Sequence, residues 1–298
     1  MDETNKIIFW AHSSGLANRL RALIGYQALA KFKKVPFFLC WKSDPNCDAH
    51  FSALFNTDKV NLISESKLET EKKNENGQIY TECCWFHEIW IKNLRNSVPW
   101  ELFKSQALQF AQLLNPSPNI TYQIKDFSQH QNLTNLPGFH IRMTDNLKAY
   151  NGWLSHPNFN IEYISRLEGF EIQIEKLLSD KISNTIFLVT DNRQIEKYLK
   201  KRFPGQILTY EKKWRKPYKL NFSSLIKKYR IRVKQRTSTI EDALVEMYLL
   251  SKCKFITGTY FSSYGEFAAV LGKKPYFEIL GDQSKKDDFI NELLEKNQ

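Results

Sequence analysis

The chain has 298 residues, 42% hydrophobic and 14% aromatic, enough apolar material for a core in two ordinary domains or one large α/β unit that folds on its own. Its five cysteines (Cys40, Cys47, Cys83, Cys84, Cys253) fit neither a disulfide framework nor the paired C-x-x-C of a zinc site, so a reducing compartment is expected. Much of the formal charge of +11 sits in one stretch, EKKWRKPYKLNFSSLIKKYRIRVKQRTS (211–238). That argues against a wholly basic, nucleic-acid-binding surface. It leaves a solvated loop or a basic collar for an anionic ligand or membrane.

The opening MDETNKIIFWAHSS is acidic and enters a strand without the basic and apolar regions of a signal peptide, and no apolar run approaches the about 20 residues of a membrane helix. A cytoplasmic chain, at most peripheral to the inner face of the membrane, is expected. KIIFWA, HSSG, NRLRALIGYQALAKFKK and VPFFLCW then read as strand, turn, helix and strand, one βαβ unit. SESKLETEKKNENGQ (64–78) is polar throughout and reads as an exposed loop. Pro116 and Pro118 stop one helix and open the next segment. From residue 137 a second α/β series begins: the strand GFHIR, a helix over IEYISRLEGFEIQIEKLL, the strand TIFLVT, the helix NRQIEKYLKKRF and the strand QILTY. After the basic stretch come the helix STIEDALVEMYLLSKC, the strand KFITGTY, the helix SSYGEFAAVLG and the strand KPYFEI. Two halves follow, 1–133 and 134–298.

Three places have the residues for chemistry. At the first, Gly15 lies between strand and helix, where backbone N–H groups can face an anion, but one glycine is not the G-x-G-x-x-G of a dinucleotide site. Arg19 and Arg21 follow it closely. At the second, strand alternation puts His140 and Arg142 on one face and Phe139 and Ile141 on the other, at the carboxyl end where open α/β sheets bind ligands. A planar guanidinium there suits a phosphate, or else it pairs with Asp145. At the third, Ser262 or Ser263 caps a helix whose free N–H groups suit a second phosphate contact. Ser238 and Glu241 have capping-box spacing, and Glu246 lies inside a mainly apolar helix, where a buried carboxylate would need a partner and a solvent-facing one would not.

In order and content these segments resemble the fucosyltransferase superfamily of rhizobial nodulation enzymes, α1,6-fucosyltransferases and protein O-fucosyltransferases. GLANRLRALIGY with its following W, D, C, F and LF resembles the family's G-x-x-N-R segment, and GFHIRMTDN its H-x-R-x-T-D motif. IFLVTDN resembles its strand ending in T-D, and DALVEMYLLSKCKFITGTYFSSYGEFAAVLG its C-terminal motif. The resemblance implies a GT-B-like α/β fold of two Rossmann-like domains facing across a cleft, the N-terminal one on the acceptor side and the C-terminal one holding GDP-fucose. By position it implies Arg142 on the β-phosphate with Ser262 or Ser263, His140 against the nucleotide, and Glu246 in place of an aspartate that reads guanine. Gly15, Asn18, Arg19 and Asp191 match further positions of these motifs.

Met143 stands where the family often has a second arginine, and Asn146 and Tyr150 where the α1,6 enzymes have a lysine and a glutamate. Thr144, Asp145 and Asn146 with Ser155, Pro157 and Phe159 are similar to shorter bacterial members. The expected reaction is inverting transfer of L-fucose from GDP-fucose to a glycan hydroxyl, with Arg142 catalytic and Asp44 the candidate base. No metal or other cofactor is expected, since no D-x-D motif is present. The acceptor is expected to be a glycan, a lipid-linked one being an option reached through peripheral membrane contact of 211–238. Transfer from another nucleotide sugar, or nucleotide binding without catalysis on the same fold, remain alternatives.

Overall fold

The computed structural model describes residues 5–74, 77–142, 164–214 and 238–281. The positions of Met143, Thr144, Asp145, Asn146, Tyr150, Ser155, Pro157 and Phe159, and basic residues 215–237, lie outside them. The described residues pack as two units. The first takes 5–125 and Thr239–Val245; the second takes 126–214, 238 and 246–281.

In the first unit a three-stranded parallel sheet has the order β2-β1-β3, with β1 at Ile7–Ala11, β2 at Phe37–Trp41 and β3 at Gln78–Tyr80. Between β1 and β2 runs α1 (Leu16–Lys33), rich in leucine and alanine and buried along most of its length. Lys34 ends it in the left-handed conformation, and Lys31 and Lys33 place positive charge where the helix dipole is negative. The helix packs on α4 (Phe86–Asn93) and α5 (Trp100–Gln112), reached after α2 (Phe51–Leu54) and α3 (Glu65–Lys73). At Gly25 a Cβ would lie 2.5 Å from Ile89 Cδ1, so this glycine sets how closely α1 and α4 approach. The α3 helix corrects the loop expected over 64–78. Its one buried apolar residue, Leu68, gives no periodic signal, but Ser64 caps it by accepting from Lys67 N and good helix formers fill the rest.

Pro118 opens α6 (Pro118–His130) at the position where proline's missing N–H does no harm. A short 3₁₀ turn at Leu133–Asn135 then leads into the second sheet. Its five strands are all parallel, in the order β6-β5-β4-β7-β8, with β4 at Gly138–Ile141, β5 at Ile186–Thr190, β6 at Ile207–Leu208, β7 at Ile256–Thr259 and β8 at Tyr276–Ile279. Counted from β4 this is 3-2-1-4-5, the doubly wound order, whose direction of winding reverses between β4 and β7.

Among the described residues, α7 (Leu167–Ser179), α8 (Arg193–Arg202), α10 (Ser263–Gly272) and the C-terminal half of α9 (Ile240–Leu250) belong with that sheet. Phe139 and Ile141 bury one face against Phe170, Ile174 and Leu177 of α7 and Leu199 of α8. The alternate residues Gly138 and His140 face the other way, Gly138 against Leu250 at the end of α9 and His140 against α10. Thr239, not Ser238, caps α9, its hydroxyl accepting from Asp242 N at 3.0 Å. All five cysteines are free thiols. No helix among the described residues is long and apolar enough to cross a membrane.

Candidate functional site

Doubly wound sheets bind ligands outside the carboxyl ends of their strands, at the point where the winding reverses. Here that point lies between the ends of β4 and β7, and a side-chain bridge joins them. The Thr259 hydroxyl donates to the His140 carbonyl at 3.3 Å and accepts from Arg142 N at 2.9 Å. His140 and Arg142, paired by strand alternation, therefore sit beside the turn that leads into α10.

That turn is held from two sides. Ser262 N donates to the Thr259 carbonyl at 3.1 Å. Phe261 has a φ of 59°, a left-handed conformation uncommon for an aromatic residue, and its N–H donates to Glu278 Oε1 at 3.0 Å. Tyr260 N donates to Ser165 Oγ at 2.7 Å, and Ser165 in turn donates to the Ile279 carbonyl. The start of α10 is thus fixed rather than left to find its place. Strained backbone of this kind costs about 1–3 kcal/mol and persists where the surroundings enforce it.

Ser262 is the cap residue of α10, yet its side chain makes no capping bond. Its hydroxyl and His140 Nδ1 are both buried, in residues only 4% exposed, and neither has a hydrogen-bond partner in the described structure. Orphaned groups of this kind are rare in native proteins and call for an explanation. The His140 ring stacks on Tyr264 in the first turn of α10, centroids 4.7 Å apart at 25°. Gly265 makes room for it, since a Cβ there would lie 3.3 Å from Nδ1. Burial, followed by the positive charges of Arg142 and Lys212, pushes the His140 pKa down to about 3. The imidazole is neutral at physiological pH, with one nitrogen to donate and one to accept. Ser263 is also buried. Asp191 follows β5 directly and is half-buried, while its neighbour Asn192 caps α8 by accepting from Gln194 N and Ile195 N.

Glu246 is buried rather than facing solvent, and Lys212 is its partner. Lys212 Nζ donates to Glu246 Oε1 at 2.6 Å and to the Thr190 carbonyl, at the end of β5, at 2.6 Å. The two side chains are 1% and 4% exposed. The first part of the basic stretch is thus neither a solvated loop nor a collar at this residue. Lys212 carried no sequence signal, because an isolated lysine among lysines has no periodicity to mark it as buried. Thr259 and Tyr264 were equally silent, one reading as a strand residue and the other as a helix residue.

The first unit corrects two other expectations. Arg19 is fully buried: Nε donates to the Ser14 carbonyl at 2.8 Å, Nη1 to the Ala11 carbonyl at 3.2 Å and Nη2 to Asp44 Oδ2 at 2.6 Å. It ties the ends of β1 and α1 together and is not available to a phosphate. Asp44 also accepts from Ser13 N at 2.7 Å and Asn46 N at 2.9 Å. Burial alone would raise its pKa, but these backbone bonds and the Arg19 guanidinium outweigh it and hold the carboxyl below its ordinary value. A general base works best with a pKa near the operating pH, so this locked, weakly basic carboxylate does not fit the role. Gly15 caps α1 with an ordinary extended backbone, and the left-handed residue of that turn is Ser13. Asn18 accepts from Arg21 Nη2 at 3.0 Å, and the Arg21 guanidinium lies 3.7 Å over the Trp85 ring.

Similar folds occur among solved fucosyltransferases. NodZ α-1,6-fucosyltransferase soaked with GDP-fucose matches over 90% of this chain and 92% of its own, with a TM-score of 0.53 and 15% identity. The fucosyltransferase NodZ from Bradyrhizobium matches over 90% and 93%, with a TM-score of 0.54 and 13% identity. POFUT1 in complex with GDP matches over 94% and 99%, with a TM-score of 0.55 and 10% identity. The chain has the fucosyltransferase fold. No protein-family model matches the sequence, and no curated protein matches it. Within the fucosyltransferase fold, the buried orphan groups lie at the reversal point of the second sheet.

Proposed function

We propose that this protein is a glycosyltransferase that moves L-fucose from GDP-fucose to a hydroxyl of a glycan, with inversion and without a metal. The observation that carries the reading is the pair of buried groups without a partner among the described residues, Ser262 Oγ and His140 Nδ1, at the start of a ten-residue helix where the sheet winding reverses. Helix starts at such points receive phosphates, through free N–H groups and the positive end of the helix dipole. The fold likeness supports the donor, since solved relatives hold GDP or GDP-fucose.

In this reading Arg142, Ser262 or Ser263 and the α10 N–H groups bind the diphosphate, and Asp191 and Glu246 border the rest of the nucleotide. The acceptor hydroxyl attacks the anomeric carbon as the bond to the β-phosphate oxygen breaks, through an oxocarbenium-like transition state; GDP leaves with the bonding electron pair and the hydroxyl proton passes to water. Fixed positive charge and donors stabilise the departing GDP, and losing one such donor raises the barrier by about 2.7–4 kcal/mol. The GT-B arrangement, a lipid-linked acceptor and a cytoplasmic location with membrane contact through 211–238 belong to the same proposal.

A second reading, nucleotide binding without transfer, is favoured by one observation: the carboxylate expected to act as base is locked onto Arg19. Nucleotide screening and then acceptor screening separate the readings. In EDTA, GDP and GDP-fucose should raise the melting temperature, a ligand at 100 times its Kd adding about 2.7 kcal/mol of stability. UDP, ADP and NAD should not. GDP release that accelerates with a glycan acceptor identifies the transferase; binding without acceptor-dependent release across acceptors identifies the binder.

A further inference from the structure

The proposed transfer needs a group to take the acceptor's proton, and Asp44, held by Arg19, does not fit that role. His12, beside it, does. The first sheet has a reversal point of its own: β2 lies on one side of β1 and β3 on the other, so a ligand is expected outside the carboxyl end of β1. His12 is the first residue after that strand. Its ring is held from two sides, stacked on Trp10 with centroids 4.1 Å apart and with Nδ1 2.9 Å from Ser13 Oγ. Ser13 has a φ of 53°, and Asp44 pins it by accepting its N–H at 2.7 Å. Left-handed backbone away from glycine is uncommon and gathers at functional sites. The Arg19–Asp44 joint thus fixes the turn that presents the imidazole.

When Nδ1–H donates to Ser13 Oγ, the lone pair is on Nε2, which has no partner among the described residues. The charged groups near the ring are Arg19 of α1, Lys72 of α3, and Lys42 and Asp44 after β2. On the β3 side stands the Cys83 thiol, whose sulfur is 4.0 Å from the His12 carbonyl oxygen. Partial burial, followed by the Arg19 charge, lowers the His12 pKa from its ordinary value of 6.5, and Asp44 does not offset this. The imidazole is therefore neutral at physiological pH and able to accept a proton.

We propose that His12 is the general base of the transfer, its Nε2 taking the proton of the acceptor hydroxyl, or of water where water is the acceptor. This rests on the transferase reading. The acceptor O–H bond breaks, its proton goes to Nε2, and the freed electron pair forms the bond to the anomeric carbon. The bond to the β-phosphate oxygen breaks with its pair left on GDP. The imidazolium then gives the proton to water.

The test is single-turnover release of GDP from GDP-fucose by the full chain, with water as acceptor, followed as a function of pH. The wild-type rate should fall on the acid side through an apparent pKa below 6.5. His12→Gln should slow release by about 10²–10⁴-fold and lose that acid limb, with melting temperature and GDP affinity unchanged. If His12→Gln does not fold, His12→Asn is read in the same way. A folded variant that keeps the wild-type rate overturns the inference and leaves the donor site standing. A slower variant that keeps the acid limb makes His12 merely structural and overturns it too. No turnover of GDP-fucose by a wild type that binds GDP removes the transferase reading beneath it.

Discussion

Each of the two parallel sheets removes charged or polar side chains from water at its carboxyl edge, but the two edges are finished differently. In the first, Arg19 and Asp44 saturate one another and the surrounding backbone. In the second, Ser262 Oγ and His140 Nδ1 are buried with no partner among the described residues, beside a helix start pinned by Ser165 and Glu278. A satisfied polar cluster is a structural joint. One built rigidly and left incomplete is shaped for a ligand that completes it.

The sharpest way to break this contrast is to open the joint. Arg19→Met should destabilise the protein by about 3–5 kcal/mol in urea unfolding, because Asp44 is left charged and unpaired. A loss below about 1 kcal/mol would mean that the pair is no joint. At the other edge, Arg142→Ala should leave the fold intact and raise the transfer barrier by about 2.7–4 kcal/mol, roughly 10²–10³ in rate. Near-normal turnover by the folded variant would remove Arg142 from the site.

Acid should distinguish the edges too. His140 is neutral when folded, with its pKa down to about 3, whereas the unfolded chain takes up that proton near the ordinary value of 6.5. Between those values the unfolded state binds more protons, so this contribution is fully present above pH 6.5 and is lost as the pH falls toward 3, by about 1.4 kcal/mol per pH unit. His140→Gln should flatten that part of the stability profile; an unchanged slope in the variant contradicts the neutral, buried imidazole. The smallest effect is expected at Ser262→Ala. With no bond to lose, stability should change by less than about 0.5 kcal/mol, while GDP binding weakens by about 1 kcal/mol. A stability loss with unchanged GDP affinity would make Ser262 an ordinary cap.

The β/α alternation of the second unit was legible because its strands are short apolar runs and its helices are amphipathic, although the helix expected from Ile161, whose first residues lie outside the described ones, begins only at Leu167, and the strand expected over QILTY is just Ile207–Leu208. The pairing of His140 with Arg142 followed from strand alternation, and the cap at Ser262 from the serines before an apolar helix. What could not be read was whatever depends on which distant atoms meet. Asp44 resembled a free carboxylate until Arg19, 25 positions earlier, proved to hold it. Glu246 had no visible partner because Lys212 approaches from the loop after β6, where no regular element gives its side chain a direction. The α3 helix was missed for a related reason: a helix that buries one leucine leaves almost no pattern.

The most direct measurement is a calorimetric titration of GDP, in EDTA, into the wild type and Arg142→Ala side by side. Saturable one-to-one binding to the wild type, weakened at least tenfold in a variant with an unchanged melting temperature, is the predicted result. No GDP binding by the folded wild type, or equal binding by both proteins, would contradict a GDP site at the β4–β7 reversal point.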